Sequence, residues 1–336
     1  MRSPAGTCLS LSPISMHDRP RLRHSLFPVM SMRMRWKLVL CLCLAGLLVW
    51  FLADAGAVRG SVMEALTLCA GTVIPAMFPF MVVSSLLLSM GLGELAAPVL
   101  ARPMERLFRV PGAGGTALLL GLIGGDPIGA QTAADLYRRH LVSREEAERM
   151  LAFCNNSNPV FLVSVLGAGV FGSVRTGVWL WLIHVLSALL TGLLFRKTGG
   201  LSAVRPRPPA ARAGGGFFVT AFVQAVRGAL SGILSVCAFV TFFYVLARPL
   251  AAAGGVLGPI LVGITELFSL TPLLAPDPFH FILASGAAGW GGVSVLCQTL
   301  AVLDGSGLRV RNCLLGKAAQ GGISLLLAAP LAGYVL

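Results

Sequence analysis

Gly124-Gly125-Asp126-Pro127-Ile128-Gly129-Ala130-Gln131 and, further along, Cys154-Asn155-Asn156-Ser157-Asn158-Pro159 interrupt two apolar stretches that would otherwise run on. Glycine loosens the first stretch, and proline disfavours the helical conformation in the residue before it. Asn-Asn-Ser-Asn-Pro ends a second helix and leaves amide and hydroxyl side chains beside freed backbone groups. In a soluble domain both would be ordinary loops. Here they lie between segments apolar enough for a bilayer, where irregular backbone is tolerated only inside the protein or beside a water-filled cavity. The two breaks are therefore a candidate solute site.

The bilayer reading rests on composition. Of 336 residues, 56% are hydrophobic and 12% charged, against about 25% charged in a soluble domain. The chain reads as an all-α, polytopic membrane protein. Its net charge of +13 comes from basic residues in short segments between apolar spans, as the positive-inside rule describes, and no nucleic-acid partner is expected. The eight cysteines form no CxxC and have no histidine at ligand spacing, so they read as packing residues; no metal or cofactor is expected. His184, inside an apolar span, is expected to make a helix-packing hydrogen bond. No HExxH, GxSxG or Walker loop is present, and no catalytic residue is assigned.

Residues 1–36 read as a basic disordered tail, or as a start placed too early, and 37–57 as a first transmembrane helix. Its Ala53–Ala57 stretch also resembles a signal-peptidase site, but further spans follow, which favours a retained helix. A first repeat covers 58–196. Ser61–Met90 is a span kinked by Pro75 and Pro79, and Glu94–Arg109 an amphipathic interfacial helix. Gly115–Arg139 has two arms too short for a bilayer of about 30 Å, a re-entrant hairpin broken at Gly124, Gly125 and Pro127. Ser143 to Glu146 is a capping box opening a helix that breaks at Asn155–Pro159 and resumes through Phe171. Val178–Phe195 is a span, and 197–216 a basic linker. In the second repeat, 217–336, a long helix runs from Phe217 to Leu246, and Ala251–Asp277 lies outward. A second hairpin over Phe279–Asp304 breaks around Gly291 and Gly292, and a last span from Leu308 is interrupted at Gln320-Gly321-Gly322.

An offset of 165 residues lays Gly124 on Gly289 and Asn155 on Gln320. Three crossings in the first half would invert the second, an arrangement many secondary transporters use. With the N-terminus cytoplasmic, segments 1–37, 92–111, 136–149 and 196–216 hold 19 of the 26 Lys and Arg. Arg309 and Arg311 then fall outside, against the trend.

Several stretches resemble the YlbJ family of sporulation integral membrane proteins: Ile74-Pro75-Ala76-Met77-Phe78-Pro79-Phe80, Val110-Pro111-Gly112, Gly125 to Ala130, Glu146 to Ser157, and Gly291 to Gln298. The family carries the nucleoside-recognition or Gate domain found also in concentrative nucleoside transporters. The resemblance implies a multi-pass plasma-membrane protein of a spore-forming bacterium, a nucleoside-transporter-like fold with two hairpins, and a part in spore cortex assembly. Possible partners are a small polar solute, other sporulation membrane proteins and a second copy of the chain. The family pattern Ser-Gly-Tyr-Pro-x-Gly-Ala-Lys is altered here, with Gly124, Asp126 and Gln131 in place of Ser, Tyr and Lys.

The candidate solute-binding residues are Asn155, Asn156, Ser157, Asn158, Gln131, Thr132, Ser294, Gln298 and Gln320, whose donors and acceptors suit a neutral polar molecule. The alternative is that they cap broken helices and bind one another. Asp126, a carboxylate deep in the membrane, either couples to a proton or sodium ion or caps the following half-helix. Glu266 either caps or gates.

Overall fold

The computed structural model describes residues 32–196 and 217–336, where every element is helical. The linker 197–216 and the first 31 residues of the tail lie outside the described residues. Helix α1 (Met32–Ala53) starts before the expected Lys37 and sits in a unit of its own, with no buried side chain between Trp36 and Ala53. Among the described residues, five helices are long and apolar enough to cross a membrane.

The second unit opens with α2 (Ala55–Leu68) and α3 (Ile74–Ser89), joined by a π-helical turn over Cys69–Val73. The wide turn answers Pro75, whose ring clashes with the carbonyl four residues back and which has no N–H to offer it. The amphipathic α4 (Leu92–Pro103) follows with Leu95 and Val99 exposed, and a π turn (Met104–Phe108) ends at Arg109 in the left-handed region. Next come the two arms α5 (Gly114–Gly124) and α6 (Ile128–Arg138), packed side by side. At 11 residues each they are about 16 Å long, too short to cross. The first hairpin is as the sequence predicts.

Helix α7 (Arg144–Met150) starts on the expected capping box: Ser143 Oγ accepts from Glu146 N, and Glu146 Oε2 accepts from Ser143 N at 2.8 Å. Regular structure stops before Cys154 and resumes as a π-helical arm, Phe161–Val170. Helix α8 (Val174–Leu194) begins earlier than expected because Ser173 caps it at Thr176 N. Helix α9 (Phe217–Ala251) is the longest, and is followed by α10 (Leu257–Thr265), the four-residue α11 (Leu267–Leu270), α12 (Pro278–Trp290), α13 (Gly292–Leu303), α14 (Arg311–Ala328) and α15 (Ala332–Val335). Asp277 caps α12, and the bonds from His280 N and its ring hold that carboxyl below the usual carboxylate range.

Three contacts run α9 antiparallel to α2. Cys69 Sγ points at Cys237 O, Tyr244 Oη donates to Glu64, and Arg248 reaches Ala57 O and Ser61 Oγ. The end of α9 therefore shares a face with the start of α2. The chain crosses once through α2–α3 and the first hairpin returns it, so α7 begins on the opposite face.

The loop between α13 and α14 touches that opposite face: Arg309 N donates to Glu148 Oε1 at 3.0 Å, and Arg144 donates to Gly307 O. From Ala251 to this loop the chain must therefore cross a net once. The crossing is α12–α13, a 26-residue apolar span broken only at Gly291. Its two arms do not lie against each other. The second hairpin expected over 279–304 is thus a broken span. The re-entrant element is α10–α11, turning at Glu266. Nor is α14 interrupted at Gln320–Gly322. The glycines that prompted both readings let helices approach: a Cβ on Gly289 would meet Gln320 O at 2.9 Å and Gly321 Cα at 3.0 Å, the small-residue packing common between membrane helices. Arg309 and Arg311 rejoin the basic face, and the exception to the charge rule disappears.

One close approach seats the first hairpin on the second break. A Cβ on Gly121 would lie 1.7 Å, and one on Gly129 1.8 Å, from the carbonyl oxygen of Cys154. Backbone cannot yield as a side chain end can. Gly129→Ala should cost at least about 1–3 kcal/mol, read as a lower thermal midpoint and lower membrane level, while Gly322→Ala, which faces open space, should change little. In a background with native cysteines replaced, a cysteine at Asp304 should label from the same side of the membrane as one at Arg139, and one at Arg175 from the other. Labelling of Asp304 with Arg175 would restore the hairpin reading of 279–304.

Candidate functional site

Four helix breaks meet in the second unit: Gly125–Pro127, Cys154–Asn158, Glu266 and Gly291. Each frees peptide groups that water would satisfy in a soluble protein, and here other breaks satisfy them. Asn158 Nδ2 donates to Gly124 O at 3.2 Å, and Asn155 Oδ1 accepts from Ala130 N at 3.3 Å. Ser157 Oγ donates to Ala288 O, a freed carbonyl at the end of α12, at 3.0 Å. Trp290 Nε1 donates to Ile264 O at 2.8 Å, and Gly292 lies against the backbone of Thr265 and Glu266.

Behind the breaks runs a polar network. Ser157 N donates to Nε2 of His184 at 3.0 Å, so the neutral ring carries its proton on Nδ1. Gln320 Nε2 donates to Asn156 Oδ1 at 3.0 Å, and Asn156 Nδ2 donates to Phe153 O. Asn155 Nδ2 donates to Thr299 Oγ1 at 2.8 Å. Lys317 Nζ donates to Asn155 O at 3.1 Å and to Gln320 Oε1 at 3.2 Å. Removing one member leaves buried partners unsatisfied, at about 1–3 kcal/mol each and more for a charge.

Between the breaks lies a small cavity of about 30 Å³, lined by Asp126, Ser157, Asn158, Gln298 and apolar neighbours that include Phe161 and Phe268. Asp126 is only 7% exposed, and its Oδ1 has no hydrogen-bond partner. Gln298 is steadied by its bond to Ser294 Oγ at 3.3 Å. The space suits one water or one small ion. It is far below the several hundred cubic ångströms of a typical ligand pocket, so a larger solute enters only if the breaks part.

The site brings Asp126, Ser157, Asn158 and Gln298 to the cavity, and puts Asn155, Asn156, Ser294 and Gln320 in its supporting network. Two expected residues stand apart: Gln131 is exposed, and Thr132 spends its hydroxyl on Ile128 O in its own helix. Glu266 is fully buried and acts as a cap, with Oε2 accepting from Ser269 N and, at 2.6 Å, from Ser269 Oγ. Lys317 and Thr299 went unread in the sequence. The signal for Lys317 was present, since it falls in the interior of the segment read as the last span. Of the described residues, no three His, Cys, Asp or Glu gather into a metal site.

Comparison with known proteins agrees with this geometry. A family model described as Gate, nucleoside recognition, matches residues 70–175, the stretch holding the first hairpin and the Asn-Asn-Ser-Asn break. The chain is also 38% identical over 127 residues to the sporulation integral membrane protein YlbJ of Bacillus subtilis, covering 38% of this chain. It spans about a third (31%) of that relative's length. No solved structure matches it. The resemblance to the YlbJ family and its Gate domain that the motifs carry is therefore upheld: residues 70–175 match the Gate family model, within an all-α, multi-pass membrane protein.

Proposed function

We propose that this chain is a transporter-like membrane protein of sporulation, moving a small polar solute such as a nucleoside, a sugar or a peptidoglycan-related molecule needed for the spore cortex. The sporulation setting comes from the printed name of its Bacillus relative. The observation that carries the transport reading is Asp126, a carboxylate with an unpartnered oxygen, lining a small cavity beside Ser157, Asn158 and Gln298. Broken helices around a mid-membrane polar site are the general plan of secondary transporters.

The repeat belongs to this proposal, with halves 58–196 and 217–336 and a corrected register. The long helices α2–α3 and α9 correspond at an offset of 162 (Ala55 to Phe217), and the final helices α8 and α14 at 137 (Val174 to Arg311). The difference is taken up largely by the amphipathic α4 and its π turn, which have no counterpart after α9. In each half the hairpin tip bears a carboxylate, Asp126 or Glu266. In each, a side chain at the following break donates to the carbonyl two residues before that carboxylate: Asn158 to Gly124, Trp290 to Ile264. With Arg309 and Arg311 added, the basic residues of the second unit support assigning the face that holds Arg138, Arg139 and Arg144 to the cytoplasm.

A second reading has its own support. The cavity is too small for a nucleoside and the breaks saturate one another, as a non-transporting scaffold for spore-envelope proteins would require. Complementation separates the two. In a strain lacking the gene, Asp126→Asn should reach the membrane at near wild-type levels and Asn155→Ala/Asn156→Ala at a level lowered by its lost network bonds, and neither should restore cortex when expression is raised to match. Full complementation by both would put the scaffold ahead.

A further inference from the structure

Lys317 is a lysine inside a membrane helix, 1% exposed, with no carboxylate bonded to its ammonium. What holds it is backbone and amide oxygen. Its Nζ donates to Asn155 O, freed where α7 gives out, and to Gln320 Oε1. Its stem passes the other break, where a Cβ on Gly291 would touch Lys317 Cε at 3.4 Å. Gly291 is where α12 ends. The ammonium is thus held by unwound backbone of the first half, and its stem passes the end of α12 in the second, an end that carries partial negative charge. In transporters built from broken helices, unwound carbonyls and half-helix C-termini are the places where a coupling sodium ion is bound.

We propose that Lys317 is a tethered cation occupying the position of a coupling sodium ion, so that the site needs no sodium to form. Three observations agree. The oxygens that would ligate a free cation are already bonded to Nζ. The charge of Lys317 acts on Asp126, which lines the cavity and whose Oδ1 has no partner. And the same lysine closes the network through Gln320 to Asn156 and the Ser157 N–H bound by His184. A second cation beside Nζ would be buried against a like charge, which is costly. The site as built therefore has no place for sodium. This inference rests on the breaks forming a binding site, and its test does not depend on transport.

The measurement is thermal unfolding of the purified full chain in detergent, in sodium chloride against choline chloride at equal ionic strength. Wild type should show the same midpoint in both. Lys317→Ala, which empties the position, should unfold several degrees lower in choline and regain much of the loss in sodium. Lys317→Met, which fills the space without charge, should be lowered in both alike. A sodium-specific rise of the wild-type midpoint, or stoichiometric binding of radioactive sodium to wild type, overturns the proposal. So does a folded Lys317→Ala protein indifferent to the cation. If Lys317→Ala fails to accumulate, Lys317→Gln takes its place with the same expected response. A loss of this proposal leaves the cortex complementation result untouched, so the two fail separately.

Discussion

A peptide group freed inside a bilayer has no water to turn to, and leaving it unpaired costs several kcal/mol. That constraint organises this molecule. The chain breaks its helices at four places, and each break is tolerable because the other three and the helices behind them supply its partners. Ala288 O is held by Ser157, Ile264 O by Trp290, Gly124 O by Asn158, Asn155 O by Lys317. The close seating of Gly121 and Gly129 on the Cys154 carbonyl makes the contact of Gly124 with Asn158 possible, since a side chain at either position would hold the hairpin off the break. Packing, polar satisfaction and site geometry are one problem here.

The sequence made half of this legible. Gly-Gly-Asp-Pro and Asn-Asn-Ser-Asn-Pro are breaks that no apolar periodicity can hide, and the capping box at Ser143–Glu146 marks a helix start by a local hydrogen-bond pattern. The first half could be read in order for that reason. The second half misled for a physical reason: glycine in a membrane helix serves a break and a close helix contact equally well. Gly286, Gly289, Gly321 and Gly322 look like hinges in a list of letters, yet all four lie within unbroken helix. The real turn at Glu266 has neither Gly nor Pro beside it. Its signature is a carboxylate that caps the short helix following it, which a search for breakers passes over. Placing the second hairpin one element too late then pushed Arg309 and Arg311 to the wrong face, so a single misread turn produced the register error and the apparent exception to the charge rule together.

The candidate site was legible in its residue types more than in its assignments. Amides and a hydroxyl at a membrane break declare themselves, and four of the expected residues line the cavity. Gln131 fails because α6 turns its side chain outward, and helical phase beyond a break cannot be read without the break's geometry. Lys317 was missed because a basic residue in a membrane protein is ordinarily credited to a loop. Only the fold shows that its helix carries it to the break at Asn155.

In the repeat we propose, the two halves share a backbone plan and divide the chemistry between them. At equivalent points, two residues after the bonded carbonyl, one half places Asp126 and the other Glu266. Glu266 has one oxygen bound to Ser269 by main chain and hydroxyl, which fixes it as a cap and holds its short helix in place. Asp126 has no such partner at Oδ1 and faces the cavity instead. Conversely the cation comes from the second half, on α14, and crosses to the broken backbone of the first. Glu266 also keeps a buried oxygen, Oε1, without a partner, so what separates the two carboxyls is that Glu266 is anchored through its other oxygen and Asp126 is not. On the transporter reading we propose, that difference leaves one half holding its own turn closed and the other with a carboxyl open to whatever enters beside it.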